Sequence, residues 1–146
     1  RHYPGGRSAF IRAMNNKARQ LGMRNSRFYD STGLSTRNVS TARDLAKLIT
    51  AAYRQPLIRQ FTQDTNKEMR FSTPAYSLMF NNTNPLVKNP DWDVRLSKTG
   101  YTDEAGRCLL MRAKPDRQEL AIVLLNSVGK RTPIGDANRI RKWLKS

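Results

Sequence analysis

The sequence predicts an α+β domain in which an antiparallel sheet is covered by helices. Three observations carry this expectation. Helical periodicity dominates the first third of the chain, extended segments joined by turn residues follow, and one amphipathic segment closes it. Strands and helices do not alternate as they do in βαβ units. The length of 146 residues fits one domain with a sizeable core.

Residues 7–21 read as the first helix. Phe10, Ile11, Met14, Ala18 and Leu21 recur at helical spacing, and Gly22 stands where a C′ glycine belongs. Residues 23–40 are rich in Asn, Ser, Asp and Gly and read as a loop. A second helix is expected over 41–53, capped by Ser40 or Thr41, with Thr41 and Asp44 forming a capping-box variant and Leu45, Leu48, Ile49 and Ala52 its apolar stripe. Pro56 ends it and can open a short third helix over 56–61.

Segments 67–72 and 75–80 look extended, and Tyr76, Leu78 and Phe80 alternate as on a half-buried hairpin strand. The Asn- and Pro-rich stretch 81–90 marks an irregular connection. Strands are then expected at 94–99, 106–113 and 119–127, with Asp116 in the last turn. The apolar run 120–125 suits a buried central strand. Cys108, alternating with Leu110, is expected to pack in the sheet. The closing helix is expected over 133–145, with Thr132 as cap, Pro133 first, Ile134, Ala137, Ile140 and Leu144 on one face, and Trp143 packed. Most other aromatics also fall at core spacings.

Composition narrows the function classes. No apolar run approaches the roughly 18 residues of a transmembrane helix. One cysteine, Cys108, cannot form an internal disulfide or a multi-cysteine zinc site, and the single histidine, His2, leaves no internal His for a metal cluster or triad. No metal or cofactor is therefore expected. The net charge of +16 is spread rather than blocky: residues 1–29 hold seven Lys/Arg and no acid, and residues 130–146 hold six with only Asp136. Such a surface favours polyanions, so a basic non-catalytic module for nucleic acid or a cell-wall polyanion stands as the alternative to an enzyme. No nucleic-acid motif accompanies the charge, and no nucleic-acid partner is expected. The chain opens with Arg1 and no signal peptide precedes it, so it reads as processed or as a piece of something longer.

The sharpest local signal is Lys98-Thr99-Gly100, at the end of an expected strand. A given tripeptide of this kind occurs by chance in roughly one chain in thirty of this length, so a Lys and a Thr on an exposed strand edge stand as the alternative reading. Its chemistry is apt: a fixed cation and a hydroxyl beside a strand edge can hold a carboxylate, and the glycine lets a substrate backbone approach. With Ser-x-x-Lys and Ser-Asp-Asn it forms the active-site set of penicillin-binding proteins and class A β-lactamases.

A wider likeness accompanies it. The segments HYPGGRSAFIRAMNNKARQLGM, STGLSTRNVSTARDLAKLI, FNNTNPLV, LSKTGYTDEAGRCLLMRA and DANRIRKWL, in this order over nearly the whole chain, resemble low-molecular-mass penicillin-binding proteins of the D-Ala-D-Ala carboxypeptidase family. The resemblance implies the C-terminal part of a penicillin-binding-protein/β-lactamase-like transpeptidase fold. It also implies a periplasmic serine DD-endopeptidase or carboxypeptidase that acts on peptidoglycan cross-link peptides and is acylated by β-lactams. Carried over by position, Lys98 would be the catalytic cation, Thr99 would hold the substrate carboxylate, and the strand from Thr99 through Gly100 to Tyr101 would pair with the substrate backbone. The Tyr101 N–H would be one oxyanion-hole donor.

The chain departs from that pattern in two of three motifs. No Ser is followed two residues later by Asn. Ser-x-x-Lys occurs once, at Ser127–Lys130, downstream of Lys-Thr-Gly and at the exit of a strand, where a chance match is expected. Residues 1–146 are thus expected to be the C-terminal portion of a single serine DD-peptidase domain, with no nucleophile in this chain. The N-terminal portion with Ser-x-x-Lys and Ser-x-Asn, a second chain or a missing segment, would complete the sheet. Without it the apolar side of 119–125 is expected to lie exposed.

Overall fold

The computed structural model describes residues 2–146. Helix α1 spans Gly6–Gln20, α2 Ala42–Tyr53, α3 Pro56–Gln63 and α4 Thr132–Trp143. Strands are β1 Asn66–Ser72, β2 Ala75–Asn81, β3 Val94–Thr102, β4 Gly106–Ala113 and β5 Leu120–Ser127. The expected α+β class and its element order hold, and none of the described helices is long and apolar enough to cross a membrane.

The ends of α1 and α2 follow from their residues. After α1, Gly22 adopts φ 71°. That lets Met23 N–H reach Ala18 O at 2.9 Å and Gly22 N–H reach Arg19 O at 2.9 Å, the double closure of a Schellman end. Thr41 caps α2 by accepting the Asp44 N–H at 3.2 Å. The reciprocal half of the expected capping box is absent, because the Asp44 carboxylate turns to the preceding loop. At α4 the cap is Arg131, which makes no side-chain hydrogen bond, and Thr132 is already helical.

Two sheets form. β1 and β2 make an isolated antiparallel ribbon, and β3-β4-β5 make a three-stranded antiparallel sheet with β4 in the middle. Among the described residues β5 pairs only with β4, and its outer edge is open. Leu120, Ile122 and Leu124 pack into the core beneath α4, while α2 lies against β5 from the other side. Of the apolar residues 120–125 only Ile122 is buried; Leu120, Val123 and Leu124 are half-buried, and Ala121 and Leu125 are exposed, so the expected exposure holds in part.

The core lies between the sheet and α4 and contains Leu86, Trp92, Leu109, Met111, Ala113, Ile122 and Ala137. Full burial of each large member contributes about 1.5–3 kcal/mol. Trp92 has no exposed surface, and its indole N–H donates to Asn138 Oδ1 at 3.1 Å, fastening the turn before β3 to α4.

Apolar residues that spacing assigned to a core prove exposed. Trp143 is 71% exposed, because it lies on the side of α4 away from the sheet. In the β1–β2 ribbon Met69, Phe71, Tyr76, Leu78, Met79 and Phe80 are all exposed. No described element covers either face, and the cross-strand rings of Phe71 and Tyr76 stack on each other at 4.5 Å. Cys108 is half-buried, on the face of β4 away from Leu109 and Met111. Trp92 is the only buried aromatic among the described residues.

Candidate functional site

Lys98, Thr99, Gly100 and Tyr101 lie on β3, which runs three residues further than expected and ends at Thr102. β3 pairs with β4 on one side only, with Thr99 opposite Leu109, Gly100 opposite Cys108 and Tyr101 opposite Arg107. Along this stretch the other edge of β3 carries no strand among the described residues. Apart from the Thr99 carbonyl, which Lys98 Nζ meets, its backbone groups on that edge have no strand partner and can pair with an extended ligand.

Strand alternation separates the tripeptide's two polar side chains. Ser97, Thr99 and Tyr101 face the same side as Leu109 and Met111, toward α4. Lys98 faces the opposite side, is exposed, and bonds through Nζ to the Thr99 carbonyl. A ligand at the edge of β3 therefore meets a cation from one face and a hydroxyl from the other. A Cβ built on Gly100 would meet nothing within 4 Å, so the space beside this residue is open.

Thr99, Gly100 and Tyr101 border a cavity of about 530 Å³, walled also by Thr83, Lys130 and Arg131. Arg107 lies over the Tyr101 ring at 4.4 Å, and the phenol donates to Asp103 Oδ1 at 2.6 Å. That carboxylate raises the Tyr101 pKa above its usual value by accepting the phenol hydrogen. The wall of Arg107, Lys130 and Arg131 gives the cavity a positive field suited to a carboxylate-bearing ligand.

The strand is anchored at both ends of the stretch leading to the site. Gln63 Nε2 donates to Arg95 O at 2.6 Å, and buried Asn84 donates from Nδ2 to Ser97 Oγ at 2.9 Å. Thr83 Oγ1 lies 2.5 Å from Thr99 Oγ1. Sequence reading assigned no role to Thr83, Asn84 or Arg131. The adjacent residues 83 and 84 lie in an irregular connection, where no periodicity reveals which strand they will touch.

Ser127 is the last residue of β5, and Lys130 lies in the turn before α4. The pair does not sit on a helix, where the i, i+3 spacing would bring the two side chains together. Lys130 reaches the cavity and Ser127 is not among its walls.

The D-alanyl-D-alanine carboxypeptidase family model matches residues 1–129. The chain is 48% identical over 145 residues to a D-alanyl-D-alanine endopeptidase of Pseudomonas aeruginosa, covering 99% of this chain and 47% of that protein. It is 49% identical, with the same coverage, to the D-alanyl-D-alanine endopeptidase of Escherichia coli. Among solved structures, the Streptomyces K15 DD-transpeptidase superposes with a TM-score of 0.84 at 26% identity, over 93% of this chain and 53% of that one. Penicillin-binding protein D2 from Listeria monocytogenes, in its cefotaxime-bound form, superposes at 0.76 with 25% identity, over 91% of this chain and 53% of that one. The chain thus spans about half the length of the curated relatives it matches. With Lys-Thr-Gly on a free strand edge and these likenesses along its length, the chain belongs to the D-alanyl-D-alanine carboxypeptidase family and has the fold of the corresponding part of a penicillin-binding protein.

Proposed function

We propose that residues 1–146 are the C-terminal portion of a serine-type DD-endopeptidase or carboxypeptidase that hydrolyses D-alanyl peptide bonds of peptidoglycan in the periplasm. The observation that carries this reading is the open edge of β3, with Lys98 on one face and Thr99 on the other beside a cationic cavity. The relatives at 48% and 49% identity favour it over a basic binding module.

In this reading the peptide lies along β3 as an added strand, and Gly100 lets its backbone approach. Thr99 donates its hydroxyl to the substrate carboxylate, and the positive wall supplies the matching field. The nucleophilic serine and its base lysine come from the segment carrying Ser-x-x-Lys, which is not part of this chain. The serine oxygen bonds to the D-Ala carbonyl carbon while the lysine takes its proton. The Tyr101 N–H steadies the oxyanion and Lys98 contributes positive charge. The C–N bond then breaks as the leaving amine gains a proton, and water releases the acyl group. β-Lactams acylate the same serine.

Intact-mass spectrometry of the full-length protein before and after benzylpenicillin tests this. One adduct of one penicillin mass is expected, on a peptide outside residues 1–146. An adduct within them, on Ser127 for example, would overturn the placement of the nucleophile. No adduct at all would overturn the enzyme reading.

A further inference from the structure

Residues 83 and 84 grip β3 from one side at alternate positions. Asn84 has no exposed surface; it donates to Ser97 Oγ at 2.9 Å, and its own oxygen accepts the Leu86 N–H at 3.1 Å. Its partners fix it in place, and it fixes Thr83 beside it. Thr83 is exposed and borders the same cavity as Thr99, with its Oγ1 2.5 Å from Thr99 Oγ1. Neither hydroxyl has another partner among the described residues.

Two hydroxyls in contact place one hydrogen between them. Whichever oxygen accepts keeps its own hydrogen for a third group. If Thr99 donates to Thr83, its hydrogen is used up and it cannot donate to a carboxylate. If Thr83 donates, the Thr99 hydrogen is free for the ligand. A carboxylate in the cavity selects the second arrangement, because it draws the Thr99 hydrogen toward itself and makes Thr99 a better acceptor.

The geometry points to Thr83 as a positioning residue for carboxylate recognition: it donates to Thr99 Oγ1 and thereby orients the Thr99 hydroxyl toward the ligand's carboxylate. This rests on the proposed role of Thr99. A valine at position 83 keeps the shape and removes the hydrogen bond. A serine there restores the hydroxyl without the methyl.

The test compares acylation of the full-length enzyme by benzylpenicillin and by its methyl ester, which lacks the carboxylate charge. Thr83→Val, Thr83→Ser and Thr99→Val are each measured with both compounds, and the limiting rate is separated from the half-saturating concentration. Thr83→Val is expected to raise the half-saturating concentration for benzylpenicillin on the order of tenfold, with little change for the ester. Thr83→Ser is expected to restore most of the loss. Equal losses on both compounds, or a serine variant as poor as the valine one, would overturn the inference. A Thr99→Val loss specific to the carboxylate, with Thr83→Val unaffected, would remove this inference and leave the site reading standing. A Thr99→Val variant unchanged on both compounds would remove the site reading and this inference with it.

Discussion

Asp44 and Ser26 are joined by a hydrogen bond of 2.9 Å although 18 residues separate them. The same Asp44 oxygen accepts the Asn25 N–H at 2.8 Å, while its partner oxygen meets Lys47 at 3.3 Å. One buried carboxylate on the first turn of α2 therefore fastens the segment that leaves α1. Asp44→Ala removes all these bonds at once and leaves the Asn25 N–H without its acceptor, with an expected fall in melting temperature of roughly 5 °C. Thermal melts followed by circular dichroism check this; an unchanged melt would mean the segment is held by other contacts.

Three carboxylates make stability fall in acid. Burial opposes ionisation of Asp44 most strongly, yet its hydrogen bonds from Asn25, Ser26 and Lys47 outweigh it and lower its pKa. At Asp30 the Thr32 hydroxyl lowers the pKa most, joined by the Leu34, Thr32 and Gly33 N–H groups. Hydrogen bonds from Arg141 and then Lys145 pull Asp116 down to about 2 from 3.8. A folded pKa below the unfolded one gives stability that is present above the unfolded value and lost as pH falls through the folded one. The melting temperature is therefore expected to be insensitive to these groups above pH 5 and to drop from pH 3.8 toward 2. Asp116→Asn should flatten part of that drop. A pH series of melts on both proteins measures it, and parallel curves would refute the assignment to Asp116.

In the proposed reading, Gly100 serves ligand approach and not folding. A methyl group there meets no atom within 4 Å, so Gly100→Ala should melt within about 1 °C of the parent. The same methyl stands on the Lys98 face of the strand, beside the edge along which the proposed ligand runs. Acylation by benzylpenicillin should fall on the order of tenfold to a hundredfold. Stopped-flow acylation beside a melt gives both numbers, and a fully active alanine variant would place the ligand elsewhere.

The two tryptophans should respond oppositely to substitution. Trp92→Ala removes a fully buried ring and its bond to Asn138, costing about 3–5 kcal/mol. Trp143→Ala removes a ring 71% exposed and should change stability by no more than about 0.5 kcal/mol. Denaturant titrations of the two variants check the pair. A costly Trp143→Ala would reveal a contact for that ring in the full-length protein.

What was legible in the sequence was what a local pattern encodes. The stripe of α2, the Schellman glycine after α1 and the strand pair around Lys-Thr-Gly all follow from spacing alone. Spacing says which residues share a face, and it is silent on whether anything packs there. Hence Tyr76, Leu78 and Phe80 alternate as on a half-buried strand yet stay exposed, and Trp143 faces outward. The apolar run of β5 likewise reports its covered faces and does not state how many strands flank it. Within the site, Lys98, Thr99 and Gly100 were visible as a motif. Thr83 and Arg131 were not, since only the fold brings residues 83, 99 and 131 to one cavity.

Lys98 and Thr99 owe their opposite orientations to nothing but their adjacency on a strand. The count of residues between the Arg95 anchor and the tripeptide is consequently as restrictive as their identity. One residue inserted or deleted between positions 95 and 98 would turn the cation toward α4 and the hydroxyl away from it, reversing both at once. Side chains there can drift during evolution, but the number of codons cannot. Length variation among descendants of this sequence should therefore collect beyond Thr102, in the turn at 103–105, where the strand has already delivered both groups.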